Sequence, residues 1–405
     1  MAATWKRLAF TTELHTALTL DDAAIEAVFD LDVQKLTLAS QAANTFLRGP
    51  TTPGAPAADP VFGPLVNADL PATAINAHNL VINGNFNIWQ RGNSLVGPGV
   101  ANNDDVYTAD GWNLLSDGND IVDISGVATS PPSGSVAFLQ GLQATANKQW
   151  GLVTFLEKGD SVPLAGKTVS LSFQAKTTAA TIGQLRAAIL SWASTADVVT
   201  SDVVATWHGG GTNPDWAANW TMENVPADLA LTTSWQTFKI ENVAIDTASM
   251  ANVAVVIWVD DTNAAANDIV QIAQVQLEIG PAATAFAGHS VQADWIRCQR
   301  YYERLGGQSA YELFGLGQCY STTGARVAIT YTRKRGTAVP DSGGSFSVSN
   351  SAWAGKAVTN VSWVYVGRNT ATVDVTVASG LVAGDATGLY AANDLTAYIA
   401  LSAEL

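Results

Sequence analysis

Residues 207–220 read Trp-His-Gly-Gly-Gly-Thr-Asn-Pro-Asp-Trp-Ala-Ala-Asn-Trp, three indoles set among Gly, Asn and Asp. A sugar ring has a flat C–H face that stacks on an aromatic side chain, and hydroxyls that hydrogen-bond to amides and carboxylates. Trp207, Trp216 and Trp220 therefore form a candidate carbohydrate platform, with His208, Asn213 and Asp215 as polar partners. The run is too rich in glycine for a central strand, which places its start in a loop, where binding residues concentrate. The alternative reading makes the same rings packing groups that cap a hydrophobic layer or lie between subunits.

Catalytic signatures are missing. There is no G-x-S-x-G nucleophile elbow, no H-E-x-x-H metal helix, no P-loop and no dinucleotide fingerprint. The four histidines, His15, His78, His208 and His289, are scattered. Acidic pairs occur at Asp104-Asp105, Glu157 with Asp160, and Asp260-Asp261. Cleaving a glycosidic bond takes two carboxylates across that bond, but adjacent acids in Asn/Gly-rich runs serve as turn residues, and nothing selects a pair. No catalytic residue is assigned, and no cofactor is required.

The elements that must carry these residues are strands. The 405-residue chain has 47% hydrophobic and 14% charged residues with 34 Gly, a profile of strands and turns rather than of a helical bundle. Val169, Leu171 and Phe173 alternate with Ser170, Ser172 and Gln174. Residues 185–192, 234–240, 253–259 and 274–279 read as further strands, separated by Gly, Asn, Asp and Pro. Trp89, Trp112, Trp192, Trp235 and Trp258 fall on such segments and are expected in the core. Residues 304–405 form another block, with alternation at Val327/Ile329/Tyr331, Val361/Trp363/Tyr365 and Val373/Val375/Val377, and an Asn393-Asp394 turn between two final strands. Trp295, Cys298 and Tyr302 have helical spacing, which predicts a helical turn within 292–303.

Residues 1–78 differ. Asp21 to Phe29 predicts a short helix with Ile25, Val28 and Phe29 on one face, and the proline-rich stretch from Thr51 to Pro60 blocks regular structure. The net charge of −15 disfavours nucleic-acid and anionic-membrane partners, since both need a basic surface. Cys298 and Cys319 cannot build a disulfide framework or a four-ligand zinc site; they are expected buried and reduced, with one bridge as the alternative. The N-terminus MAATWKRLAF lacks the apolar core of a signal peptide and no apolar run spans a bilayer, so synthesis in a cytoplasm is expected.

Residues 79–92, NLVINGNFNIWQRG, read as a short strand, Leu80-Val81-Ile82, entering an Asn83-Gly84 turn in which both residues tolerate φ > 0. Followed by Tyr107-Thr108-Ala109-Asp110-Gly111-Trp112, this phrase resembles the opening of the jelly-roll, carbohydrate-binding-module-like domain of bacteriophage tail-fibre and related virion fibre proteins. Residues 273–281 and Cys298-Gln299-Arg300-Tyr301-Tyr302 resemble the end of that domain, 44–71 a shaft segment, and 304–405 the C-terminal β domain of the same proteins. The resemblance implies a mainly β chain in three parts. These are a virion-attachment and shaft segment at 1–78 with a short helix, an antiparallel jelly-roll β-sandwich at 79–303, and a small β domain at 304–405. It implies a non-enzymatic homotrimeric fibre in the virion, on tail or capsid, that binds host surface polysaccharide. A capsule or lipopolysaccharide depolymerase and a structural virion protein without ligand are the alternatives. It also implies a possible structural calcium between the first and last strands, with Asn83, Asn85 and Glu278 as candidate oxygen ligands, although amides bind calcium less well than acids.

Overall fold

The computed structural model describes residues 79–95, 104–178, 181–247, 250–260, 264–349 and 354–405, with the backbone of two earlier strands, Thr45–Arg48 and Val61–Pro64. Those two strands pair antiparallel; the helix and linker expected elsewhere in 1–78 lie outside the described residues. Met1–Asn76 and Ala77–Leu405 are separate compact units.

The second unit begins with an antiparallel β-sandwich. Sheet I runs in the order Trp220–Met222, Gln184–Trp192, Asn252–Val259, Trp150–Leu156, Asn113–Ser116, with Leu229–Ala230 also on Gln184–Trp192. Sheet II runs Gln236–Ala244, Thr168–Thr177, Ile269–Ile279, Phe138–Gln143, Val122–Val127, Ser94–Leu95. One core joins them: Leu114, Leu152, Ile189, Val255 and Ile257 of sheet I pack with Ile124, Leu139, Leu171, Phe173 and Leu277 of sheet II. Removing such side chains from water, at roughly 25 cal/mol per Å² of apolar surface, is the main force holding the sheets together.

The sheets differ on their outer faces. Every residue of Asn252–Val259 is buried. Val253, Val255 and Ile257 enter the shared core, while Ala254, Val256 and Trp258 enter a second cluster on the far side of sheet I. A strand covered on both faces reads as a continuous apolar run. Sheet II keeps the two-residue alternation, with Ser172 and Gln174 directed away from the core.

The stretch 79–92 forms no strand. Asn79 and Leu80 lie outside regular structure and 81–85 bend and turn. Side-chain bonds replace the ladder: Asn83 Oδ1 accepts from the amides of Asn87 (2.9 Å) and Ile88 (3.1 Å), and its Nδ2 donates to the carbonyls of Ile88 (2.9 Å) and Asp110 (3.0 Å). Asn83 and Phe86 take the left-handed conformation at φ 53° and 54°. Gly84 is not among the left-handed residues. It is needed for space, because a Cβ there would lie 2.1 Å from the Val275 carbonyl oxygen. The phrase at 107–112 closes on the same turn. Asp110 accepts from the Gln90 amide and from Gln90 Nε2, both at 2.7 Å, and Phe86 packs 5.0 Å from buried Trp112.

The helix at Val291–Gln299 is where helical spacing predicts one, N-capped by Ser290, whose Oγ accepts from the Ala293 amide at 3.2 Å. Tyr302, expected to end the sandwich, begins a third sheet: Tyr302–Gly306, Tyr398–Ser402, Val339–Gly343. Six further strands close a barrel in the order Leu313–Cys319, Gly324–Thr330, Thr370–Val377, Gly355–Val366, Phe346–Ser349, Ala386–Ala391. The Asn393-Asp394 turn therefore links two sheets, the barrel and the third sheet. Cys298 and Cys319 are buried and free.

Buried ions tie these parts together. Lys334, fully buried, donates to Glu303 at 2.7 Å and to the Gln299 carbonyl, and Glu303 also accepts from the Thr332 amide at 2.8 Å. The Arg91 guanidinium sits 4.4 Å from the Tyr107 ring and 3.5 Å from the Tyr302 ring and meets Glu404 at 2.7 Å. Glu303→Gln should cost about 3 kcal/mol, since it strands a buried ammonium, and Glu303→Leu with Lys334→Met should recover most of it in urea melts. Gly84→Ala should cost about 2 kcal/mol or more by forcing the turn off the Val275 carbonyl, read by the same melts.

Candidate functional site

The residues of the predicted platform lie on the outer face of sheet I. Trp220 is 5% exposed, packed 5.0 Å from Trp192 and 5.8 Å from Phe155. Trp216 meets Trp258 edge-on at 5.7 Å, and half-buried Trp207 joins the same cluster. Stacking a sugar takes a free ring face, and Trp220 has none, so Trp220 is a packing residue rather than a platform residue. The polar partners hold the loop down. His208 Nε2 lies 3.0 Å from Asp215 Oδ2, and Asn213 Oδ1 accepts from Arg186 Nη1 at 2.8 Å. Arg186 also meets Asp228 and fully buried Asp260, which in turn accepts from the Gly211 amide at 2.8 Å. The outer face of sheet I needs a cover because it is apolar, and these residues supply it.

The calcium candidates have their oxygens engaged by protein donors. Asn83 Oδ1 takes two amides, as above. Asn85 Oδ1 accepts from Ser135 Oγ at 2.7 Å. Glu278 accepts from Gln276 Nε2 (2.9 Å), the Thr284 amide (2.7 Å) and Thr284 Oγ1 (2.8 Å). Of the acidic pairs, Glu157, Asp260 and Asp104 are engaged too. Glu157 holds Arg300 bidentately at 3.0 and 2.8 Å, Asp260 holds Arg186, and Asp261 lies outside the described residues. Asp104 and Asp105 are joined by Asp202, with carboxylate oxygens within 4.8 Å of one another. Asp104 accepts from the Ser116 amide at 2.8 Å, which suits a turn residue. Burial, then the charges of Asp104 and Asp202, push the Asp105 carboxyl up to about 6.

A groove of ≈580 Å³ crosses the opposite face of the sandwich, the outer face of sheet II. Its floor follows from strand register: Thr237 pairs with Gln174 and Lys239 with Ser172, all directed outward, with Gln274 beyond. Gln274 sits at an irregularity between Ala273 and Gln276 and has φ 54°. Such a bulge re-aims a side chain. Gln274 accepts from Gln174 Nε2 at 2.7 Å and donates through Nε2 to the Ser133 carbonyl (2.8 Å) and Ser135 Oγ (2.9 Å). This fixes one wall. The other wall, around Thr284, Ala285 and Phe286, is pinned from below. Lys239 donates to the Ala283 carbonyl (2.9 Å), Glu241 accepts from the Ala283 amide (2.8 Å), and Gln276 Oε1 accepts from the Ala287 amide (2.7 Å).

Two half-buried rings border this face. Phe286 lines the groove. Trp235, expected in the core, instead lies on the outer side, 5.3 Å from Phe138 and 5.1 Å from the Lys176 ammonium. Trp235 precedes its strand by one residue, and the period-2 pattern continued from Thr237 puts it on the polar face. That alternation, Trp235/Thr237/Lys239 beside Ser172/Gln174/Lys176, was the signal available in the sequence. Amides, hydroxyls, one ammonium and a ring suit a neutral polyhydroxylated ligand. No carboxylate is among the described residues lining the groove.

No family model matches the chain. No curated protein matches it either. Among solved structures it is similar to the enzymatically active domain of tailspike protein 4 of bacteriophage CBA120, at 12% identity and a TM-score of 0.30, over 51% of this chain and 24% of that one. It is also similar to TmCBM61 in complex with β-1,4-galactotriose, at 13% identity and a TM-score of 0.28, over 50% of this chain and 99% of that one. A third similarity is to the CBM22-1 xylan-binding domain of Xyn10C from Paenibacillus barcinonensis, at 15% identity and a TM-score of 0.28, over 47% and 97%.

The raised Asp105 carboxyl has a definite sign. The folded state holds its proton more tightly than the unfolded chain, so stability is lost as pH rises from about 4 towards about 6 and is not regained above it. Asp105→Asn, which tolerates the φ of 65°, should raise Tm by a few degrees at about pH 8 and leave it unchanged at about pH 4, checked by thermal melts across that range.

Proposed function

We propose that this chain is a non-enzymatic glycan-binding protein of a tailed-phage fibre or spike, and that the groove on sheet II is its carbohydrate site. The observation that carries the reading is the groove itself. A floor of amides and hydroxyls, fixed by mutual hydrogen bonds, is bounded by Phe286 and contains no carboxylate among its described lining residues. Preorganised polar groups lose little freedom when a ligand arrives, which favours binding of a weakly held, uncharged ligand. The virion role rests on the resemblance of 44–71, 79–112 and 273–302 to phage fibre segments. On that reading residues 1–78 attach to the particle, the assembly is a homotrimer, and host surface polysaccharide is the receptor. Linked sites in a trimer raise avidity without new contacts.

Affinity electrophoresis against xylan, galactan, mannan and bacterial O-polysaccharide tests the site. At least one should retard the protein. Phe286→Ala and Thr237→Ala should each weaken that binding about tenfold, or about 1.4 kcal/mol, with unchanged Tm. Trp220→Ala should lower Tm by opening the cover of sheet I. Retardation untouched by the groove variants, or reducing ends appearing with time, would sink the reading.

A further inference from the structure

We propose a second saccharide site, on the outer wall of the barrel, where the paired side chains Arg326 and Asp374 lie between the exposed rings of Tyr320 and Tyr365. It is separate from the groove on sheet II and does not depend on it. Arg326 and Asp374 are direct cross-strand partners and pair bidentately, Nε to Oδ1 at 2.7 Å and Nη2 to Oδ2 at 2.8 Å. The guanidinium carbon lies 6.0 Å from the Tyr320 ring centroid and 5.8 Å from that of Tyr365. Both rings remain open, Tyr320 at 53% and Tyr365 at 67% exposure, with Leu316 beside them at 60%. Leu316, Gln318, Tyr320, Arg326, Thr372 and Asp374 line a depression of ≈640 Å³.

Local backbone places both rings. A Cβ on Gly324 would come 2.5 Å from Tyr320 Cζ, so the absence of a side chain there lets the Tyr320 ring pack against the backbone while 53% of the residue stays exposed. An irregularity between Trp363 and Tyr365 shifts the register, so that Trp363 packs against the barrel core while Tyr365 faces outward opposite Thr372. Thr372 in turn pairs with Ala328, and Ala328 with Leu316, which leaves a low floor of small side chains between taller edges.

The chemistry fits a neutral sugar. The ion pair has no net charge, so it selects hydroxyls rather than an anion. Each Asp374 oxygen accepts one bond from Arg326 and retains capacity for a hydroxyl donor, while the third guanidinium nitrogen stays free to donate to a hydroxyl oxygen. The side-chain bond from Arg326 holds the Asp374 carboxyl below its usual range, which keeps it an acceptor at neutral pH and below. Open ring faces at two points then stack on successive sugar rings.

Saturation-transfer NMR on the full chain, with the hexaoses of xylose, galactose, glucose and mannose as probes, tests this. In a Phe286→Ala background, which weakens the groove, one hexaose should still bind. Tyr320→Ala with Tyr365→Ala should cut that residual signal to what the weakened groove alone gives, and Asp374→Asn should weaken the barrel component about tenfold, with Tm held. In the otherwise unaltered chain the tyrosine double variant should leave groove binding intact, so the two sites fail separately. No residual binding in the Phe286→Ala chain, or residual binding indifferent to both tyrosines, overturns the proposal. So does an oligomer, measured by light scattering, that dissociates when the tyrosines are removed while saccharide binding is unchanged, since the surface would then be covered by a second copy of the chain.

Discussion

The close approach of Gly84 to the backbone of Val275 is the constraint on which the sandwich is arranged. The Val275 amide donates to the Gly84 carbonyl at 2.8 Å, and no side chain fits between them. That contact seats the opening turn on the irregular part of strand Ile269–Ile279. Asn79 reinforces it by donating to the Val275 carbonyl at 3.0 Å and accepting from the Leu277 amide at 3.2 Å. With the turn in place, Gln274 is displaced from the ladder into a left-handed conformation and its amide is delivered to the groove wall. A residue in that conformation is costly unless its surroundings hold it, and here the Ser133 carbonyl, Ser135 and Gln174 do so.

The two sheets solve different problems with the same inner face. Sheet I is apolar on both sides and must be covered, which explains the long loop with its indoles and the inward ion pairs of Arg186 that anchor it. Sheet II has a polar outer face, part of it covered by the segment around Thr284 and Ala287 and part of it lining the groove. A tryptophan-rich loop therefore ends as packing while the less conspicuous face, made mostly of Ser, Thr and Gln, forms the groove. Exposure separates the two roles: stacking on a ligand and stacking on a neighbouring ring use the same surface, and one excludes the other.

Sandwich, third sheet and barrel form one compact unit, joined by buried charges that are each compensated. Lys334 is matched by Glu303 and a carbonyl, Arg91 by Glu404 and two tyrosine rings. Burial raises the Glu404 carboxyl above its usual range, and Arg91 opposes that shift. Such pairs contribute modest net stability but penalise misassembly, because any arrangement that separates them leaves a bare charge in the interior. The outer face of sheet II and the outer wall of the barrel are both carried on that one compact unit.

The amino-acid sequence by itself determined the class and most of the strands. Alternation at Val169–Phe173, the apolar run at Val253–Val259 and the patterns at Val327–Tyr331 and Val373–Val377 each appear as strands in the antiparallel sheets, because side-chain period is a local property. It also marked the helix containing Cys298. What it could not decide is which face of each strand meets which neighbour. Leu80-Val81-Ile82 reads as a strand, yet the Leu80 amide donates to the Leu277 carbonyl and the Val81 amide to Asn79 Oδ1, and the first of these acceptors lies almost two hundred positions away. Trp235 and Trp220 both point away from the shared core, but the first ends half-buried on the outer side of sheet II and the second under the cover of sheet I. The choice between a ligand platform and a packed core is made by long-range register and by what folds over each sheet, and only the tertiary structure holds that information.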